Sequence, residues 1–376
     1  MNDSENVLIV ADSDRDANML YAVGMFAPDP FIYFRIDGKP HIVVMDMEMD
    51  RARKKAPHCR VISYNQYVDR LRGKIKRPGM AAVIGALFRE RNVRKILVPN
   101  SFPLGLAKEL RNYKIKVRVK KNGVFPQREF KCADEVKKIS AALMMAEVGL
   151  AEGIQALKTS KILRDGKLNY HGVPLTSEKL RAIIETAIVQ AGGMACHTIV
   201  AGGRQACDPH EPGHGPLRAN EPIVLDVFPR SSKTGYFGDI TRTVVRGRAS
   251  EAVRRLYDTV ARGQELAFAQ LRPENKAVDV HTAVQTYFDG QGYKTGKKDG
   301  RMQGFFHGTG HGLGMDIHEA PRMGANSHDV LAAGHVVTVE PGLYYSEIGG
   351  IRLEDVGAIT PQGAKNLTKF EKSLEI

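Results

Sequence analysis

Asp226 closes an apolar run of Ile223, Val224 and Leu225, and Asp239 follows thirteen residues later in a second β-rich stretch, 236–243. Further along come His311, Glu340 and Glu354, each set among Gly or Pro residues. Four carboxylates and one imidazole leave almost no net charge on two divalent cations. That balance is the pattern of a dinuclear metallohydrolase. Oxygen-dominated ligation favours Mn²⁺ or a similar hard ion and leaves Co²⁺ and Zn²⁺ open. Two such ions lower the pKa of a shared water and polarise a carbonyl. Without cations, the clustered carboxylates would repel and raise one another's pKa values.

The elements that must hold these residues follow from their surroundings. Pro229, Ser231, Ser232 and Gly235 are enough to turn the chain, so Asp226 and Asp239 are expected on two strands of one hairpin. Glu340 ends an apolar strand that Pro341 and Gly342 stop. The stretch 350–359 reads as one strand, and period-two alternation sets Arg352 and Glu354 on one face with Asp355 on the other. His307 and His311 have helical i, i+4 spacing, but Gly308, Gly310, Gly312 and Gly314 would each cost a helix about 1 kcal/mol. A loop or bulged strand is expected instead, its glycines letting backbone pass close to a buried cluster. Leu313 stands where a dinucleotide loop needs its third Gly, which argues against a nucleotide site.

The 376 residues are 43% apolar and 26% charged, ample for a large core. Short β-rich runs at 7–11, 41–45 and 95–99 alternate with helix-like stretches, the pattern of an α/β domain. Near Arg128 a second regime begins: a long helix from 133 to 157, a loop at 163–174, and a helix from 176 to 189. A strand-rich region follows, interrupted by helices at about 250–271 and 277–291. This second regime is α+β. The net charge of +13 gathers at 51–55, 70–77 and 114–121. These runs lack interleaved aromatics, so a solvated basic face is expected and nucleic acid is disfavoured as a partner. No apolar stretch is long enough for a membrane span, and the polar, acidic start is no signal peptide. Four cysteines without CxxC spacing are expected as reduced thiols in a cytoplasm.

Taken in order, five motifs resemble the metallopeptidase family of Xaa-Pro aminopeptidase, prolidase and methionine aminopeptidase. They are Val224-Leu-Asp226, Gly238-Asp239-Ile-Thr-Arg-Thr243, His307-Gly-Thr-Gly-His311-Gly-Leu-Gly314, Val339-Glu340-Pro-Gly342 and Ile351-Arg-Leu-Glu354-Asp355. The resemblance implies an α+β chain: a creatinase-type α/β N-terminal domain over 1–128, then a pita-bread catalytic domain over 129–376. It implies that Asp226, Asp239, His311, Glu340 and Glu354 hold two divalent metal ions, with Asp239 and Glu354 bridging and Glu340 shuttling a proton. It puts His210 on the substrate side, with His214 as the competing candidate, and His318 near the scissile bond. His307 and Arg352 match substrate-pocket positions of the Xaa-Pro branch. The implied substrate is a peptide with proline at its second position, and the implied assembly is a homodimer. His197, His281, His328 and His335 are expected to be ordinary surface or core residues.

Two other readings share these motifs. A methionine aminopeptidase-like exopeptidase normally lacks such an N-terminal domain and the Arg at position 352. A non-catalytic binding protein of the same fold, with a basic surface, would have lost ligands, and none of the five is lost here. A creatinase-like amidinohydrolase does not retain the metal set. Phe228 and Pro229, where a small residue is usual, and the stretch 163–174 depart from the family pattern.

Overall fold

The computed structural model describes residues 5–121 and 123–376, so the start of the chain read at residues 1–4 lies outside them. The chain divides into two compact units, Met1–Pro126 and Gln127–Ile376.

The first unit is built on a six-stranded mixed sheet. Its strands run in the order Arg60–Ser63, Lys39–Val44, Phe31–Ile36, Val7–Ala11, Lys95–Val98 and Lys116–Val119. Val7–Ala11 lies inside the sheet and is apolar throughout because it is buried on both faces. Leu8 and Val10 pack on one side with Ile84, Leu87 and Phe88, while Val7 and Ile9 pack on the other with Met19 and Val23. At the edge, Lys116–Val119 alternates basic residues with valines, and Val117 packs into the first of these clusters.

The second unit opens with the helix Ala133–Thr159. Glu135 accepts the Cys132 N–H at 2.9 Å, and Asp134 adds negative charge to the same first turn. The helix lies close against Ser177–Gln190. A Cβ added at Gly149 would come 2.8 Å from Ile188, and one at Gly153 would come 2.7 Å from Ile184. Between these helices the stretch 163–174 is not the expected loop. Lys161–Ile162, Leu168–Tyr170 and Val173–Pro174 form a small antiparallel meander. Its Asp and Gly turn residues serve tight hairpins equally well.

Two antiparallel sheets then carry the residues of interest. In the first, Pro222–Val227 is central, between Ile199–Gly202 and Ile240–Val245, with Asp226 opposite Thr241. Asp226 thus lies on one strand and Asp239 immediately before its antiparallel neighbour, as the turn residues imply. The second sheet runs Glu319–Met323, Gly310–Gly312, Val336–Val339, Asp355–Thr360 and Gly363–Asn366. The helices Glu251–Gln270 and Ala277–Gly290 pack against it through a core that includes Val260, Val284, Phe288, Val337 and Val339.

The expected single strand 350–359 is broken. Gly349–Arg352 pairs with Gly342–Tyr345, whereas Asp355–Thr360 pairs with Val336–Val339. At the break the Glu354 N–H donates to the Thr241 carbonyl at 3.0 Å, joining the two sheets where the carboxylates meet.

Candidate active site

A cavity of about 660 Å³ in the second unit is lined by Asp226, Asp239, His311, Glu340 and Glu354, together with His210, His307, His318, Arg322 and Arg352. Asp239, His311 and Glu354 each offer one ligand atom, and those atoms lie within 4.8 Å of one another. All three side chains are buried. His311 Nε2 is 3.3 Å from Glu340 Oε1 and 3.8 Å from Asp239 Oδ2. Asp226 is turned toward Arg352, whose Nη2 donates to Oδ2 at 2.7 Å. Its other oxygen, Oδ1, is buried and accepts no hydrogen bond among the described residues.

The strand Ile240–Val245 fixes this arrangement with three consecutive side chains. Thr241 donates to Glu354 Oε2 at 2.8 Å. Arg242, almost wholly buried, donates to the Glu354 carbonyl at 2.7 Å and to Asp355 Oδ1 at 2.8 Å. Thr243 exchanges two hydrogen bonds with the backbone of Arg352, at 2.9 and 3.0 Å. The glycine-rich run forms a short bulged strand, with the register shifting between His311 and Gly312. A Cβ at Gly310 would strike the Thr338 carbonyl, and one at Gly312 the Ala320 carbonyl. Only glycine lets His311 approach between those strands.

Burial dominates the electrostatics, and Arg352 offsets it only in part. It pushes the carboxyls of Asp239 and Glu354 well above the ordinary range, and the neighbouring carboxylates add to the shift. Glu340 is pushed up to about 7, mainly by burial, with Arg352 opposing and Asp226 reinforcing. Burial, and then His318, drive His311 down to about 3, so its ring is neutral and free to bind a cation.

Residues 137–361 match the model of metallopeptidase family M24. The chain belongs to family M24. It is 31% identical over 262 residues to the uncharacterized peptidase YqhT of Bacillus subtilis, a match spanning 63% of this chain and 70% of that protein. It is 29% identical over 287 residues to the Xaa-Pro dipeptidase of Pyrococcus horikoshii, spanning 75% of each chain. The solved structure of an Xaa-Pro dipeptidase from Bacillus anthracis superposes with a TM-score of 0.83 at 20% identity, covering 99% of this chain and 95% of that one. The fold is therefore an α/β N-terminal domain followed by the pita-bread catalytic domain of M24 peptidases. The chain is a metallo-exopeptidase.

The site fits the divalent metal ions of an M24 enzyme. Its donors are carboxylate oxygens and one neutral imidazole, a set suited to hard divalent cations. The buried Oδ1 of Asp226, without a partner among the described residues, and the raised Asp239 and Glu354 carboxyls call for positive charge that divalent ions supply.

The remaining expected residues fall around this centre. His210 lines the cavity, whereas His214 lies 3.5 Å from Glu211 and lines a neighbouring one. The His318 ring stands edge-on to that of His311, centroids 4.4 Å apart. His307 Nε2 is 2.8 Å from the Tyr344 hydroxyl and Nδ1 is 2.8 Å from the Gly308 carbonyl. A nitrogen facing a carbonyl must carry the proton, so Nε2 accepts from Tyr344. Arg352 spends Nη1 on the same hydroxyl at 3.1 Å, Nη2 on Asp226 and Nε on Thr241 at 3.4 Å. Both His307 nitrogens and each Arg352 nitrogen thus make a hydrogen bond within the protein, with a second N–H left on Nη1 and on Nη2.

Sequence reasoning missed Tyr344 and Arg322. Tyr344 is fully buried and links His307 to Arg352. Gly342, two residues before it, leaves room for its ring. Arg322 pairs in register with His311 and lines the cavity, and among the described residues its guanidinium meets no carboxylate. Period-two counting from His318 through Ala320 reaches it. His281, expected as an ordinary core histidine, is buried beside Phe305 and shares a hydrogen bond with Thr309 at 3.0 Å.

Proposed function

We propose that this chain hydrolyses the bond between an N-terminal residue and a following proline. Asp226, Asp239, His311, Glu340 and Glu354 would hold two divalent ions. The observation that carries the reading is the buried cluster of Asp239, His311 and Glu354 inside a cavity ringed by histidines and Arg322. Bound there, the cations would acidify a water and polarise the scissile carbonyl.

The chain's own residues supply the rest. Glu340, with a carboxyl pushed up to about 7 by burial, exchanges a proton near neutrality. It takes one from the attacking water and returns it to the departing nitrogen. His318, kept neutral by burial, donates an N–H to the substrate carbonyl oxygen, and His210 lies on the same wall. Arg352 and His307 act as positioning residues: Arg352 orients Asp226, and Tyr344 ties the two together. Arg322 is the cation available to substrate oxygens.

Manganese as the resident ion, a homodimer and a cytoplasmic location belong to the same reading, and nucleic acid is left out of it. The oxygen-rich donor set supports manganese, and four free cysteines support a reducing compartment. Among the described residues no helix is long and apolar enough to cross a membrane.

The deciding experiment depletes the protein of metal and re-supplies Mn²⁺, Co²⁺ or Zn²⁺. It then offers Xaa-Pro dipeptides, Xaa-Pro-Yaa peptides and Met-Ala peptides. Turnover of the proline peptides alone is expected, fastest with Mn²⁺. No turnover of any peptide overturns the reading, and preference for Met-Ala replaces it with a methionine aminopeptidase-like one.

A further inference from the structure

A second cavity of about 480 Å³ adjoins the first and shares Asp208, Pro209 and Phe306 with it. Its walls carry Arg204, Arg301 and His214, with Cys207, Met302 and Ser346 between them. Two carboxylates also line it, but both are engaged locally. Asp208 accepts the His210 N–H at 3.2 Å, and Glu211 accepts the Gly213 N–H at 3.1 Å and lies 3.5 Å from His214. The two guanidinia, by contrast, have no hydrogen-bond or ion-pair partner among the described residues. Both line this one cavity with Cys207, whose thiol burial pushes up while the two arginines oppose that push. They also reach the cavity from different elements. Arg204 comes from the 3-10 turn Gly203–Cys207, and Arg301 from the hairpin strand Arg301–Gln303.

We propose that this adjoining cavity is an anion-binding subsite for the part of a peptide beyond the proline, in which Arg204 and Arg301 take carboxylates. The proposal rests on the Xaa-Pro reading of the main cavity and adds a substrate class: peptides longer than two residues with an acidic tail. A chain whose scissile bond lies at the metal cluster would continue past Asp208, Pro209 and Phe306, which line both cavities. The carboxylate comes either from acidic side chains or from the peptide's own C-terminus. Both sources offer the planar acceptor that a guanidinium matches. Both arginines are exposed, so the attraction is modest and salt-dependent.

The test compares Ala-Pro-Glu-Glu, Ala-Pro-Ala-Ala and Ala-Pro-Lys-Lys as substrates of the metal-loaded full chain, at low and high salt. Each peptide is used with a free and an amidated C-terminus. The readout is the ratio of kcat/KM between tails within each enzyme. Two exposed charge pairs predict about a tenfold preference for the acidic tail at low salt. The preference is expected to vanish in the double variant Arg204→Ala, Arg301→Ala and to invert toward Lys-Lys in Arg204→Glu, Arg301→Glu. A fall in kcat/KM on amidation that is the same for every tail and disappears in the double-alanine variant assigns the anion to the C-terminus, and an acidic-tail preference that survives amidation assigns it to side chains. Tail-independent kcat/KM that amidation leaves unchanged, or an acidic preference that persists in both double variants, overturns the subsite. If no Xaa-Pro peptide is cleaved, the peptidase reading fails separately, and binding of the same labelled peptides by fluorescence anisotropy decides the subsite. Salt-sensitive affinity for the acidic tail that falls in the double-alanine variant supports it, and tail-independent affinity overturns it.

Discussion

Asp226, Arg352, Tyr344 and His307 form one continuous hydrogen-bonded line along the cavity wall, from a carboxylate to an imidazole. Removing a middle member strands its neighbours in a buried setting. Tyr344→Phe leaves an Arg352 nitrogen and His307 Nε2 without partners, at a cost of about 1–3 kcal/mol. Activity should fall as well, by about 10- to 100-fold, because Arg352 then holds Asp226 less firmly. Chemical denaturation and kcat/KM together check this; a stable variant with full activity would sink the positioning role. Glu354→Gln separates two effects at one atom. Glu354 is buried beside other carboxylates, which raise its pKa. The amide removes a like charge, so the metal-free protein should gain about 1 kcal/mol while peptidase activity is lost. Loss of both stability and activity would mean that the carboxylate is a structural acceptor for Thr241 and nothing more.

At the scale of elements, the strand Ile240–Val245 organises the site. Arg242 binds backbone or side chain of Glu354, Asp355, Phe370 and Glu371, residues more than a hundred positions away. Arg242→Leu should cost about 3 kcal/mol, the lower end for breaking a buried pair. Lys372 and Asn366 still satisfy Asp355 Oδ2. A cost under 1 kcal/mol by denaturation would show the staple to be dispensable. The sequence made the Thr-Arg-Thr motif visible, along with carboxylates at strand ends and glycines too dense for a helix. Three things were hidden for identifiable reasons. The pairing of Arg242 with Asp355 is tertiary and leaves no local trace. The break at Leu353 and Glu354 leaves only the adjacent charges of Glu354 and Asp355 as a local trace, and these do not say that the chain changes partners. Lys116–Val119 is the third: it lies inside a charge run, whose neighbouring lysines obscure the strand signal of its alternation with valines.

For the whole molecule, charge is divided unevenly along the chain. Residues 1–126 hold 24 Lys and Arg against 13 Asp and Glu, whereas residues 127–376 hold 31 against 29. The unit that buries the carboxylates is thus nearly neutral and offers no general excess of cations to relieve them. This sets a pH dependence of stability with a definite sign. In the metal-free protein, Asp239, Glu354 and Glu340 have folded-state pKa values above their unfolded ones, Glu340 at about 7. The folded state then binds more protons, and stability is lost as pH rises from the ordinary carboxylate range through about 7. His335, driven down to about 4 by burial and then by Lys131, works in the opposite direction. It costs stability as pH falls from its ordinary range toward 4. So does Glu319: burial opposes its charge, but Lys131 and Arg128 hold its carboxyl below the usual range. These two groups act with or without metal, so the difference in melting temperature between metal-loaded and chelated protein isolates the cluster. At saturation near a hundred times Kd, bound cations add about 2.7 kcal/mol. The gap should be widest above pH 7 and close toward pH 5, where protons take the place of cations on the carboxylates. Calorimetry across that range checks it, and a gap that stays constant or widens in acid would mean that these carboxylates do not hold the metal.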